Sequence, residues 1–187
     1  GFSSNSDQFF GSSHWQAISP RVGIKYFLSK VVGFQAAVSS GFMPAKLDDL
    51  CSSRKITKGF KIANPNLKPE TLNNAEIGMS LKPVSSLYID FTAYYSYGVH
   101  FQYFVATGDS INTGGTDVKP ILMRDNVGDV VVKGFESSIR WQPYARWQLR
   151  VSASTSTSKI VKFDSKIAAT NLKGLAISEV PNYLASA

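Results

Sequence analysis

The stretch 87–97 reads Leu-Tyr-Ile-Asp-Phe-Thr-Ala-Tyr-Tyr-Ser-Tyr. Leu87, Ile89, Phe91, Ala93, Tyr95 and Tyr97 fall on one side of a strand; Tyr88, Asp90, Thr92, Tyr94 and Ser96 fall on the other. A helix would scatter these residues around its circumference, whereas a strand sends successive side chains to opposite faces. One face is therefore apolar and the other polar. The pattern continues towards Val105, longer than most strands of water-soluble domains.

The same period returns elsewhere. Val22, Ile24, Tyr26 and Leu28 alternate with Gly23, Lys25 and Phe27, and Val32, Phe34, Ala36 and Val38 alternate with Gly33, Gln35 and Ala37. Ala75, Ile77, Met79 and Leu81 lie opposite Glu76, Gly78, Ser80 and Lys82. Phe135, Ile139 and Trp141 oppose Glu136, Ser138 and Arg140; Trp147, Leu149, Val151 and Ala153 oppose Gln148, Arg150, Ser152 and Ser154, with Ser/Thr residues continuing to Ser158. A last strand is expected over 175–187, with Pro181 at a bend or edge. The pattern predicts about seven strands and no convincing helix, an all-β antiparallel fold.

Connections alternate in length. Ser29-Lys30, Pro83-Val84-Ser85-Ser86 and Pro143-Tyr144-Ala145 are short, while 41–70, 106–123 and 162–174 are long and rich in Gly, Asn, Asp and Lys. Short turns alternating with long loops describe an up-and-down meander, a segment of a transmembrane β-barrel. Tyr26, Phe27, Tyr88, Trp141, Tyr144 and Trp147 sit beside the short turns, where amphipathic rings suit a headgroup boundary.

Composition agrees. Charged residues are 18% of the chain against about 25% in soluble domains. No run reaches the roughly 18 apolar residues of a membrane helix. The net charge of +7 is spread along the chain. Its densest patch, Arg54, Lys55, Lys58 and Lys61, reads as a solvated loop without stacking aromatics, so no nucleic-acid partner is expected. Cys51 is the only cysteine, which leaves no internal disulfide. The first residues, from Gly1 to Asn5, have neither an initiator Met nor the form of a signal peptide, as if the chain begins mid-protein.

Catalytic chemistry is not expected. His14 and His100 lack metal-ligand spacing, no metal site or cofactor motif is present, and Gly108-Asp109-Ser110-Ile111-Asn112 lacks the final glycine of a nucleophile elbow. Asp48-Asp49 is a loop carboxylate pair, suited to solvation or ion contacts.

Three stretches resemble the TonB-dependent receptor family. Ile18-Ser19-Pro20-Arg21-Val22-Gly23-Ile24-Lys25-Tyr26, followed by Ser39-Ser40-Gly41-Phe42-Met43-Pro44-Ala45-Lys46-Leu47, is similar to its strand–turn–strand ending in a "GF-x-x-P" loop opening. Asn64-Pro65-Asn66-Leu67-Lys68-Pro69-Glu70-Thr71, with Glu76-Ile77-Gly78 after it, resembles its most recognisable barrel signature. Lys133-Gly134-Phe135-Glu136, within 130–141, resembles its "G-[FV]-E" strand. Pro65 and Pro69 bias Asn64 and Lys68 to extended conformations, which steers the chain stiffly into the next strand. Gly134 marks a close backbone approach or a bulge.

The resemblance implies a barrel of about 22 strands enclosing a plug, of which residues 1–187 would supply about seven wall strands, without plug or closing strands. It implies a bacterial outer-membrane location, lipid around the wall, TonB as energy source through the full-length receptor, and uptake of a ferric siderophore or similar metal chelate. Strand parity carried upward predicts that His100, Gln102, Phe104, Arg124 and Asn126 face the lumen near its outer end, where they either meet the ligand or line the wall and touch the plug. The alternatives are a soluble β-sandwich binding glycan or protein, and a passive porin-type barrel.

Overall fold

The computed structural model describes residues 14–114, 116–177 and 180–186. They form one sheet built from β1 (Arg21–Phe27), β2 (Val32–Met43), β3 (Arg54–Ile56), β4 (Gly59–Ile62), β5 (Glu70–Val84), β6 (Leu87–Asn112), β7 (Val118–Tyr144), β8 (Trp147–Phe163) and β9 (Tyr183–Ser186), with one short helix, α1 (Leu47–Cys51). Seven strands make the meander β1-β2-β5-β6-β7-β8-β9, each antiparallel to the next. The remaining two, β3 and β4, form a hairpin inside the first long connection.

Register fixes the two faces, because residues directly opposite on neighbouring strands point the same way. One row runs Ile24, Ala36, Ile77, Ala93, Phe135, Thr155 and Tyr183. On the other face a row runs Lys25, Gln35, Gly78, Thr92, Glu136 and Ser154. The apolar face is bare: Ile24, Ile77 and Phe135 are 71%, 66% and 66% exposed. A sandwich would bury these residues under a second sheet, and none is present among the described residues. Glu136 thus shares the polar face with Ser138 and Arg140, as the sequence predicts.

The polarity inverts above Tyr95. Asn73, Lys133, Thr157 and Lys159 follow on the formerly apolar side, while Leu72, Gly98, Val130 and Ile160 follow on the formerly polar one. Val130 and Ile160 are each 2% exposed and pack with Ile177, Phe101, Tyr103, Leu172 and Val180. The apolar belt along β6 therefore spans Leu87 to Tyr95, close to the roughly 9–11 residues with which a tilted strand crosses hydrocarbon.

Gly134 resolves as a close approach, without a register shift. Its cross-strand partner is Tyr94, and a Cβ there would lie 2.7 Å from the Tyr94 hydroxyl and also meet the Thr155 carbonyl.

Two expectations need correction. The segment 106–123 is no long loop: β6 and β7 stay paired up to Asn112 and Val118, joined by a tight turn in which the Thr113 amide donates to the Asp117 carbonyl at 2.9 Å. Likewise, regular pairing of the last strand covers only Tyr183–Ser186. Before it the chain lies along β8 through isolated bonds, Gly174 N–H to the Ile160 carbonyl (2.8 Å) and Ser156 N–H to the Asn182 carbonyl (3.0 Å). Pro181 has no N–H to extend the ladder, and its carbonyl accepts from the Ser156 hydroxyl at 2.6 Å. Residues 178, 179 and 187 of that expected strand, and Gly1 to Asn5, lie outside the described residues.

Candidate functional site

The end of the sheet away from the short turns is built by the connection 44–69. The sequence reads this stretch as an open, solvated loop, whereas it is folded. β4 pairs in parallel with β7, Phe60 opposite Ile121 and Ile62 opposite Met123. β8 ends at Phe163, opposite Gly128, so the edge of β7 beyond that point has no meander neighbour. β4 takes it, and backbone groups that an edge would leave unpaired are bonded.

Ion pairs hold this block. Lys61 lies within the predicted solvated basic patch, yet it is 2% exposed. Its ammonium donates to the Asp48 carbonyl and Oδ2, each at 2.6 Å, and forms an ion pair with Asp49 Oδ1 at 2.8 Å. Two of its donors are used on Asp48, and its charge is balanced by both carboxylates, which is the condition for burying it. Asp49, itself buried, places its second oxygen 3.1 Å from Arg124 Nε. The angle at that nitrogen is poor, so the contact is an ion pair without a hydrogen bond. Arg54 closes the other side of Asp48. Its guanidinium and the Lys61 ammonium hold the Asp48 carboxyl well below the usual range. At the tip of the β6–β7 hairpin, Asp117 is held low in the same way by Lys55 (2.7 Å), Lys119 (3.1 Å) and Thr113. Asp48 and Asp49 stand on α1 and make ion contacts, one of the two roles their pairing suggests.

The signature 64–70 is clamped onto the same strands. Asn64 donates from Nδ2 to the Arg124 carbonyl (3.0 Å), and its N–H donates to the Asp49 carbonyl (2.8 Å). Asn126 reads both backbone groups of Lys68: Oδ1 accepts from its N–H (2.7 Å) and Nδ2 donates to its carbonyl (2.9 Å). Gln102 donates from Nε2 to that carbonyl (3.0 Å), while its own N–H donates to Glu70 Oε1 at 2.7 Å. Burial raises the Glu70 carboxyl, an effect opposed by this N–H and by the nearby Arg124. Between the two prolines, Leu67 is 3% exposed.

Four of the five predicted ligand residues are thus brought together. Gln102 and Asn126 are register partners, as are Phe104 and Arg124, whose guanidinium carbon lies 4.5 Å from the ring centroid. His100 stands apart. It contributes its carbonyl to Asn126 Nδ2 at 2.7 Å, and its side chain is exposed.

The parity that carries His100, Gln102 and Phe104 to one side is broken at this point. Three residues of β6 from Gly98 to Phe101 span two of β7, and His100 adopts φ +57°, unusual for a residue with a Cβ. Beyond the bulge Phe101 and Tyr103 turn to the Val130 and Ile160 cluster. Gln102 and Phe104 consequently point the other way, towards the folded block.

The residues that sequence reading missed are Lys61 and Asp49 as a buried pair, and β3 and β4. Lys55-Ile56-Thr57-Lys58-Gly59-Phe60 carries a weak hairpin signal, two short alternating runs across Thr57-Lys58.

Comparison with known proteins gives no match among curated proteins. Solved structures share the fold. The siderophore receptor PirA from Acinetobacter baumannii superposes with TM-score 0.58 at 18% identity, covering 89% of this chain and 25% of that one. The ferric enterobactin receptor PfeA from Pseudomonas aeruginosa gives 0.55 at 18%, covering 74% and 21%. The copper transporter OprC gives 0.54 at 17%, covering 75% and 21%. The chain thus spans a quarter or less of the length of these proteins. The family model described as TonB dependent receptor-like, beta-barrel, matches residues 1–187, and the chain belongs to that family of outer-membrane receptors.

Proposed function

We propose that the chain forms part of the wall of an energy-coupled importer that takes a ferric siderophore or similar metal chelate across the bacterial outer membrane. The observation that carries this reading is the two-sided sheet. An uncovered apolar belt suits lipid, and the rows of Ser, Thr, Gly and Glu suit a polar lumen filled by a plug. The family match and the siderophore-receptor neighbours support the cargo class. The seven meander strands would be about a third of a 22-stranded wall.

At the outer rim the exposed His100 side chain is open to ligand. Gln102 and Asn126 act by fixing the signature segment, and Arg124 braces Gln102 and Asp49, with Phe104 under its guanidinium.

The test is uptake of radiolabelled ferric siderophore by cells in which the complete parent receptor is the only route. Energy-coupled import stops when TonB is deleted or the proton gradient is collapsed. Uptake that survives both treatments identifies a passive pore, and a parent protein that is monodisperse without detergent identifies a soluble module.

A further inference from the structure

At the upper rim of the belt Tyr95 lies directly opposite Lys133, and Lys133 directly opposite Thr157; Lys159 follows on the same face. Below them are Ala93, Phe135 and Thr155. Between the two rows runs a groove of about 500 Å³ lined by Ala93, Tyr95, Lys133, Phe135, Thr155 and Thr157. Its floor is apolar and its upper end carries hydroxyls and an ammonium. Lys133 and Lys159 are both exposed, and neither has a carboxylate within ion-pair distance among the described residues. Two neighbouring cations without a counter-ion, set where an apolar surface ends, form an unmatched charge.

We propose that this groove binds one phosphate-bearing lipid of the outward-facing leaflet, with an acyl chain along Ala93 and Phe135 and the phosphate between Lys133 and Lys159. The groove continues the belt without a break, so an occupant with a tail covers its floor, which a free anion would leave bare. Thr157 and the Tyr95 hydroxyl add donors at headgroup level. The inference rests on the reading that the apolar face meets lipid. It goes beyond that reading in choosing one headgroup chemistry at one place.

The complete parent receptor in mild detergent, titrated with phosphatidic acid or with diacylglycerol of the same acyl chains and followed by native mass spectrometry, tests it. Phosphatidic acid should bind roughly thirtyfold more tightly, given about 1 kcal/mol for each of the two lysines near an anionic headgroup. Lys133→Gln with Lys159→Gln should abolish that preference, and Lys133→Arg with Lys159→Arg should keep it. Equal binding of the two lipids, or a preference unchanged in the double Gln variant, overturns the proposal. So does complete displacement of phosphatidic acid by an equal concentration of inorganic phosphate, which would mark a plain anion site. A spin label at position 77, quenched by oxygen in bilayers, reports separately whether the belt meets lipid.

Discussion

Lys61 Nζ lies 2.8 Å from Asp49 Oδ1, and both side chains are almost wholly buried at a site where the sequence reads only a solvated loop. Removing Lys61 takes one of the two cations from buried Asp49 and leaves Arg124 at 3.1 Å, so the cost falls below the ~3–5 kcal/mol of a fully uncompensated buried charge. Lys61→Ala is therefore expected to release the block 44–69 while the meander survives. Limited proteolysis of the parent receptor should cut within 44–69 far faster in the variant, with unchanged heat stability of the barrel. Equal cutting rates would show that the pair does not hold the block.

Docking of the block should depend on pH. The Asp48 and Asp117 carboxyls are held below the usual range by Arg54, Lys61, Lys55 and Lys119. Their stabilising contribution is complete above the ordinary carboxylate value of about 4 and is lost as pH falls through the lowered values. Glu70, raised by burial, has the opposite sign: its charged form opposes docking, and acid relieves that. As Glu70 is neutralised, amide protection in β4, corrected for the intrinsic pH dependence of exchange, should rise from neutral pH towards the ordinary carboxylate value and fall below it as the two aspartates are protonated. Both aspartates are open to solvent, so high salt should shrink the effect.

Adjacent residues test the two faces. Phe91 lies opposite Ser137 on the bare apolar side, while Thr92 lies opposite Gly78 and Glu136 on the polar one. Phe91→Arg should destabilise the complete barrel refolded in lipid by about 2–4 kcal/mol, because hydrocarbon cannot solvate a guanidinium. Thr92→Arg gains Glu136 across the strand and should cost much less. Denaturant midpoints decide the order, and a spin label at 91 shielded from oxygen would refute the lipid assignment.

Gly134 has no room for a side chain, since a Cβ would meet the Thr155 carbonyl and the Tyr94 ring. Gly134→Ala should cost about 1–3 kcal/mol through overpacking. Gly41→Ala is the comparison: its Cβ would reach only the Leu72 carbonyl at 3.8 Å. If the two variants unfold at the same denaturant concentration, the Tyr94–Gly134 packing is looser than described.

The wall was legible because its determinants are local. Leu87 to Tyr97 alternate residue by residue, and each short turn stands between two such runs. The folded block was not, since Asp49 meets Lys61 and Arg124, and Asn64 meets Arg124, through contacts between distant segments. No periodicity encodes these. The bulge at His100 escaped for a related reason. A residue with positive φ, not a glycine, opens a stretch where the pairing shifts at Phe101 and returns to register at Gln102, so parity extrapolated from Tyr97 does not carry through it. The candidate residues themselves were found together because they are register partners on one hairpin.

The pairing of β4 with β7 joins Phe60 to Ile121 through only three residue pairs. Contacts between such distant positions form late, because the intervening chain must first be ordered, and so few bonds repay little of that entropy. Here the intervening chain is β5 and β6, and β7 is laid down against β6. Hairpins β5–β6 and β6–β7 can therefore zip from their turns with the block still open. Docking of β4 is then a final, separately reversible step of assembly, and the outermost part of the wall exchanges its amides on its own clock.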